Sequence, residues 1–208
     1  MIKNNLRKSL LLFALLLIIA GCGKNYTPEQ KAYIAKIEKE RAEKNEWFKT
    51  SPESPFNYKE KIPFHKLKYF DVDPAWVFHS KLYEYPVKDS LTIYGTKGEG
   101  RPTIKFGYIK FNVGGKEYKM NVYKSRARNG KYYYSIWFTD KTTNKESYGV
   151  GRYIDFEKNP DPNFVYTIDF NLAYNPYCAY SPAYSCAIPS KDDYLDLAVT
   201  AGEKKFHD

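Results

Sequence analysis

After residue 50, apolar and polar positions alternate over short runs broken by Gly, Pro, Asn and Asp, which is the period-2 signature of half-buried strands. Eight such runs, 75–85, 91–94, 104–113, 117–123, 132–139, 152–156, 164–171 and 195–200, are rich in Tyr, Phe, Ile and Val. Gly114-Gly115 falls between the alternating sets Ile109/Phe111/Val113 and Tyr118/Met120/Val122, a two-residue hairpin loop with glycine where positive φ is needed. Asn129-Gly130 marks the next reversal, so the centre of the chain reads as an antiparallel meander. The pattern predicts a mainly β fold, an antiparallel β-barrel or sandwich, preceded by one N-terminal α-helix.

That helix is announced by Thr27-Pro28-Glu29-Gln30, in which Thr27 can cap, Pro28 suits the first helical position and Gln30 can reach back. It should run to about Phe48. Tyr33, Ile34 and Ile37 give a short apolar stripe, whereas residues 38–46 are nearly all charged, which predicts a solvated middle. Some 20 residues at about 1.5 Å each reach roughly 30 Å, long enough for a stalk or a flank, with Trp47 and Phe48 docking the far end. Ser51-Pro-Glu-Ser-Pro55 ends it.

Upstream, Lys3, Arg7 and Lys8 precede the apolar run 10–20, and no acid occurs before Glu29. This is the charge and core pattern of a secretory signal. Ile19-Ala20-Gly21-Cys22 resembles the bacterial lipobox, so Cys22 is expected to carry diacylglycerol and become the first mature residue. The divisions that follow are a signal peptide over 1–21, the lipid-anchored Cys22 with the helix over 22–49, and a β-rich domain over 50–208. At roughly 0.8 kcal/mol per buried CH₂, two or three acyl chains hold a soluble domain on the bilayer. The expected location is the bacterial cell envelope. Gly23 after the anchor lacks an Asp retention signal, which favours the outer membrane in a cell that has one.

The whole chain carries +9, and loss of the signal leaves 30 basic against 24 acidic residues. For an exported domain, this modest surplus argues against nucleic acid and for anionic head groups or acidic glycans. With Cys22 acylated, Cys178 and Cys186 remain, and in an oxidising compartment they are expected to form a disulfide worth roughly 2 to 3 kcal/mol. The histidines, His65, His79 and His207, show no ligand spacing to these cysteines, so no metal site is expected, and no cofactor is specified. Of the 208 residues, 21 are Tyr. Tyr is a good strand former with a wettable edge, and its faces also stack on sugar rings.

Signatures of P-loop, zinc-protease and serine-hydrolase sites are absent from the sequence. Gly149-Val-Gly151 reads as turn geometry, and Asn159-Pro-Asp-Pro-Asn163 as a proline-locked loop. The polar residues that stand out are Asp140, Arg152, Asp155, Asp169, Asn171, Tyr174, Asn175 and Glu203. Strand alternation would put Asp169 and Asn171 on one face and Phe170 on the other. Joined by Arg152, Asp155 or Asp140 from a neighbouring strand, they form either a brace, a site for a small polar ligand or glycan, or the carboxylate machinery of an anchored hydrolase.

Several of these residues lie in Tyr148-Gly-Val-Gly-Arg152-Tyr-Ile-Asp155-Phe, Asp169-Phe-Asn-Leu-Ala-Tyr174-Asn-Pro-Tyr-Cys178-Ala-Tyr, a second Cys at 186, and Ala201-Gly-Glu203-Lys. In that order they resemble the bacterial family catalogued as domain of unknown function 1684. The resemblance extends from the Trp47-Phe48 and Ser54-Pro-Phe56 region through 64–71 to Glu203. After Cys186 the chain departs from it, with Ala187, Ser190, Asp192 and Asp193 where Pro, Pro, Glu and Asn are usual. The resemblance implies a shared fold and a shared site, without an activity. The reading is of an envelope lipoprotein acting as a binding or assembly module, with the anchored hydrolase as its alternative.

Overall fold

The computed structural model describes residues 24–127 and 129–207, so the expected signal segment and Cys22 lie outside the described residues. The chain divides into two compact units, Met1–Lys31 and Ala32–Asp208. In the first, the expected cap forms: the Thr27 N–H donates to Gln30 Oε1 at 3.0 Å, and the Gln30 N–H to Thr27 Oγ1 at 3.3 Å. Helix α1 begins there and spans Pro28–Thr50.

In the second unit α1 is a flank and not a stalk. Ile37, Asn45 and Phe48 are buried, and Arg41 donates to the carbonyls of Phe70 at 2.9 Å and Asn171 at 3.1 Å. The charged run expected to be solvated therefore turns Arg41, Lys44 and Asn45 inward, where carbonyls and a carboxylate replace water. A binary pattern of hydrophobicity misses such contacts because the buried parts are stems and hydrogen-bonding heads. Phe48 docks as expected, against Phe56 and Tyr180, while Trp47 stays 40% exposed.

The mainly β class holds. Strands β1 (Val77–Lys81), β2 (Tyr83–Tyr94), β3 (Gly100–Val113), β4 (Lys116–Arg126), β5 (Tyr132–Asp140), β6 (Arg152–Phe156), β7 (Val165–Asp169) and β8 (Tyr194–Leu195) make two sheets. The order β2-β3-β4-β5-β6 is an antiparallel meander that curls into a half-barrel, and β1 pairs with β7 beside it. Gly114 and Gly115, at φ 58° and 79°, make the tight turn between β3 and β4. The expected strand 75–85 is shorter: Leu82 separates β1 from β2, and the two join different sheets. The expected strand 195–200 contracts to β8, which pairs in parallel with β5, because the carbonyls beyond it are taken by a side chain described below.

The concave face holds the core. Ile109, Phe111, Val122, Ile136, Phe138 and Ile154 meet Ile168 and Phe170 from the second layer. The opposite face of the meander carries Tyr123 stacked on Trp137 at 4.5 Å, covered by Ala187. Tyr153 packs partly against the same cluster. This second face, covered by the C-terminal loop, positions the cleft.

Candidate functional site

The polar residues singled out in the sequence do not form one cluster. Asp140 and Arg152 make a buried ion pair at 2.6 Å, with side chains at most 1% exposed. Arg152 also donates to the carbonyls of Val199 at 2.9 Å and Ala201, and Asp140 accepts from the N–H and hydroxyl of Thr142, each at 2.6 Å. The two terminal nitrogens of this guanidinium are thus divided between the Asp140 carboxylate and the carbonyls of the 199–203 strap, which they hold to the sheet. Gly202 lets the strap lie close: its φ is 77°, and a Cβ there would sit 2.5 Å from the carbonyl of Ala173.

Asp169 and Asn171 do meet, though not by alternation. Strand β7 ends at Asp169, which caps a 3-10 turn over Phe170–Leu172 by accepting from the Asn171 N–H at 2.9 Å. The Tyr33 hydroxyl donates to Asp169 at 2.6 Å, and Asn171 exchanges hydrogen bonds with the backbone of Asp73 at 2.8 and 2.9 Å. Burial and the adjacent carboxylate push the Tyr33 phenol upward. This cluster ties α1 and the 70–73 segment to the second sheet. Glu203 is equally enclosed: Lys44 Nζ sits 2.6 Å from one oxygen, while the other accepts from the Asn175 N–H at 2.9 Å and from the Tyr180 hydroxyl. Asn175 gives its side-chain amide to the carbonyl of Lys204 at 2.8 Å. Desolvation, followed by the Glu203 charge, raises Tyr180 far above the ordinary phenol range.

Only Asp155 and Tyr174 of the set face open space. They line a cleft of about 570 Å³ with Lys44 and Phe48 of α1, Tyr153 of β6, Pro176, Tyr177 and the 184–186 loop. Sequence alternation places Tyr153 and Asp155 on the outer face of β6, and a backbone bridge of 2.9 and 3.0 Å between Tyr153 and Tyr174 extends that face by one more residue. The Tyr174 hydroxyl donates to Asp155 at 2.7 Å. The far wall is pinned to the β2–β3 turn: Ser185 Oγ donates to Glu99 at 2.8 Å, and Arg101 donates to the Ser185 carbonyl at 2.7 Å. Hydrogen bonds from Ser185 and then Arg101 hold Glu99 at about 2. The arrangement offers aromatic surface, phenol hydroxyls and one accessible carboxylate, which is equipment for binding a small polar molecule.

Cys178 and Cys186 are free thiols in the structure. They are neighbours nonetheless: the Cys178 N–H donates to Cys186 Sγ at 3.2 Å. The Cys186 thiol donates to Cys178, which lowers Cys178 to about 7 against the opposing effect of burial, and the same bond raises Cys186. The Asn159–Asn163 stretch is the proline-locked loop expected, with the Asp161 and Asn163 N–H groups donating to the side chains two residues back.

Sequence reasoning missed Lys44, Phe48, Tyr153, Tyr177 and Tyr184 as cleft residues. The available signal was the density of tyrosines over 174–184, four in eleven positions, more than the short turns there need for packing.

A family model described as "Protein of unknown function (DUF1684)" matches residues 63–204. The matched span includes Asp155, Tyr174 and the cysteine pair, and it begins after Lys44 and Phe48, so the Trp47 to Phe56 region falls outside it. Among solved structures, the chain is similar to the solution NMR structure of an uncharacterized protein of Haloarcula marismortui. The identity is 29% and the TM-score 0.60, covering 84% of this chain and 95% of that one. No curated protein matches.

Proposed function

The chain belongs to this family of proteins of unknown function, and from that premise we propose that it is a lipid-anchored binding module of the cell envelope that takes a small polar ligand or glycan in the Tyr153/Asp155/Tyr174/Tyr177 cleft. The observation that carries the reading is the division of the polar residues. Asp140, Arg152, Asp169, Asn171 and Glu203 are sealed by hydrogen bonds, whereas Asp155 and Tyr174 stand in an open, ring-lined cleft. An anchored hydrolase draws less support, because the carboxylates of Asp140, Asp169 and Glu203 are committed to Arg152, to Tyr33 and to Lys44.

The charge pattern before residue 20 and the small residues leading to Cys22 support the anchor. In the oxidising envelope the neighbouring thiols of Cys178 and Cys186 would pass two electrons and two protons to a disulfide oxidant and become a bridge under the cleft. Protein purified from that compartment and weighed without reductant should then be two hydrogens lighter than the reduced chain.

The full chain and its Cys22→Ser variant, fractionated from the expressing cell, test the anchor. Wild type should remain with washed membranes and the variant should move to the soluble fraction, while retention of both would overturn the anchor. The Tyr177→Ala variant tests the cleft. Any oligosaccharide or small polar compound that raises the Tm of the full chain should lose that effect in this variant, and an undiminished effect would move the site elsewhere.

A further inference from the structure

We infer that the ligand of this cleft carries an organic ammonium group, seated on the tyrosine rings with Asp155 as its counter-charge. The inference rests on the proposal that the cleft is the ligand site, and it names the chemical class that site would take. Two charged side chains line the cleft, Lys44 and Asp155, while Lys59 lies outside the lining with its ammonium 5.4 Å from the Tyr184 centroid. Lys44 is matched by Glu203 at 2.6 Å, and Arg101 by Glu99 at 2.5 Å. Asp155 is exposed and, among the described residues, its partner is the neutral hydroxyl of Tyr174. Within the lining itself the unmatched charge is therefore the Asp155 carboxylate, inside a domain that is positive as a whole.

The rings supply the second half of the site. Tyr153 and Tyr174 pack edge to face with centroids 6.0 Å apart, as do Tyr177 and Tyr184 at 5.2 Å and Phe48 and Tyr177 at 6.2 Å. Roughly perpendicular pairs leave π-faces directed along different walls, and such faces attract cations. The protein already uses one end of the cleft in this way, since the Lys44 ammonium lies 5.1 Å from the Tyr174 centroid and 5.2 Å from that of Phe48. A neutral sugar would gain the stacking but leave Asp155 without a counter-charge, whereas an ammonium uses both. A second cleft is lined by Arg101, Arg126, Glu99 and Tyr133, and Arg126 lacks a carboxylate partner among the described residues, so its surplus is positive.

Two pairs of probes that differ in charge but little in shape separate the outcomes: choline against 3,3-dimethylbutan-1-ol, and the glucosamine trimer against the N-acetylglucosamine trimer. Each is titrated by calorimetry into the full chain in detergent micelles. The charged member of each pair should bind at least about tenfold more tightly. Asp155→Asn should abolish that difference, and because residue 155 is exposed and the new amide oxygen still accepts from Tyr174, the variant should keep the wild-type Tm. Equal or tighter binding of the neutral members, lost in Tyr177→Ala, would overturn the ammonium inference and leave the cleft reading standing. If none of the four binds with a Kd below about 10 mM, both fall.

Discussion

Asp140→Asn should lower the stability of the full chain by about 3 to 5 kcal/mol, the usual cost of stripping one partner from a buried ion pair. For a domain of this size that is about 6 to 20 °C in Tm, measured by thermal or urea unfolding. The reason is specific to Arg152. Its guanidinium is 1% exposed, so loss of the Asp140 charge leaves a buried cation whose remaining hydrogen-bond partners are neutral oxygens. Replacing both residues by apolar ones should not restore stability, because the carbonyls of Val199 and Ala201 would lose their donor. A catalytic carboxylate behaves in the opposite way: its neutralisation costs activity and leaves Tm unchanged or raises it. An unchanged Tm for Asp140→Asn would return this pair to the list of functional groups.

Phe170→Ala should cost about 3 to 5 kcal/mol by the same measurements, from lost burial plus the cavity left behind. Phe170 is 0% exposed and sits among Trp76, Phe78, Phe111 and Phe138, with ring centroids 5.1 to 5.8 Å away. Those partners come from the approach to β1 and from β1, β3 and β5, so the site cannot close by a shift of one element. The substitution also loosens the turn that holds Asp169 and Asn171, so α1 should detach early in the unfolding of this variant. A loss below about 1 kcal/mol would mean that the two layers pack less tightly than these contacts require.

The strands and the central hairpins were legible because period-2 alternation and Gly-Gly or Asn-Gly turns are local signals. The Thr27 cap was legible for the same reason. What lay beyond reach was decided between distant residues. Arg41, Lys44 and Asn45 look solvated in sequence, yet the carbonyl of Phe70, the carboxylate of Glu203 and the N–H of Leu67 take them in. Asp169 and Asn171 were correctly paired for a mistaken reason, since a 3-10 turn and not strand alternation brings them together. The eight singled-out polar residues were rightly seen as unusual, but sequence gives no measure of burial. Five of them turned out to be sealed braces, Asn175 supports Glu203, and only Asp155 and Tyr174 reach the cleft. Strand propensity does not account for the tyrosines of 174–184, because most of that stretch is turn and loop.

The division between braces and cleft is tested most directly by amide chemical-shift mapping of the full chain during titration with the glucosamine trimer. Perturbations should gather at residues 153–155, 174–177 and 184–186 and spare 140, 152, 169 and 171. Perturbations centred on 140, 152, 169 and 171, or on the second cleft at 99–102 and 125–133, would contradict it.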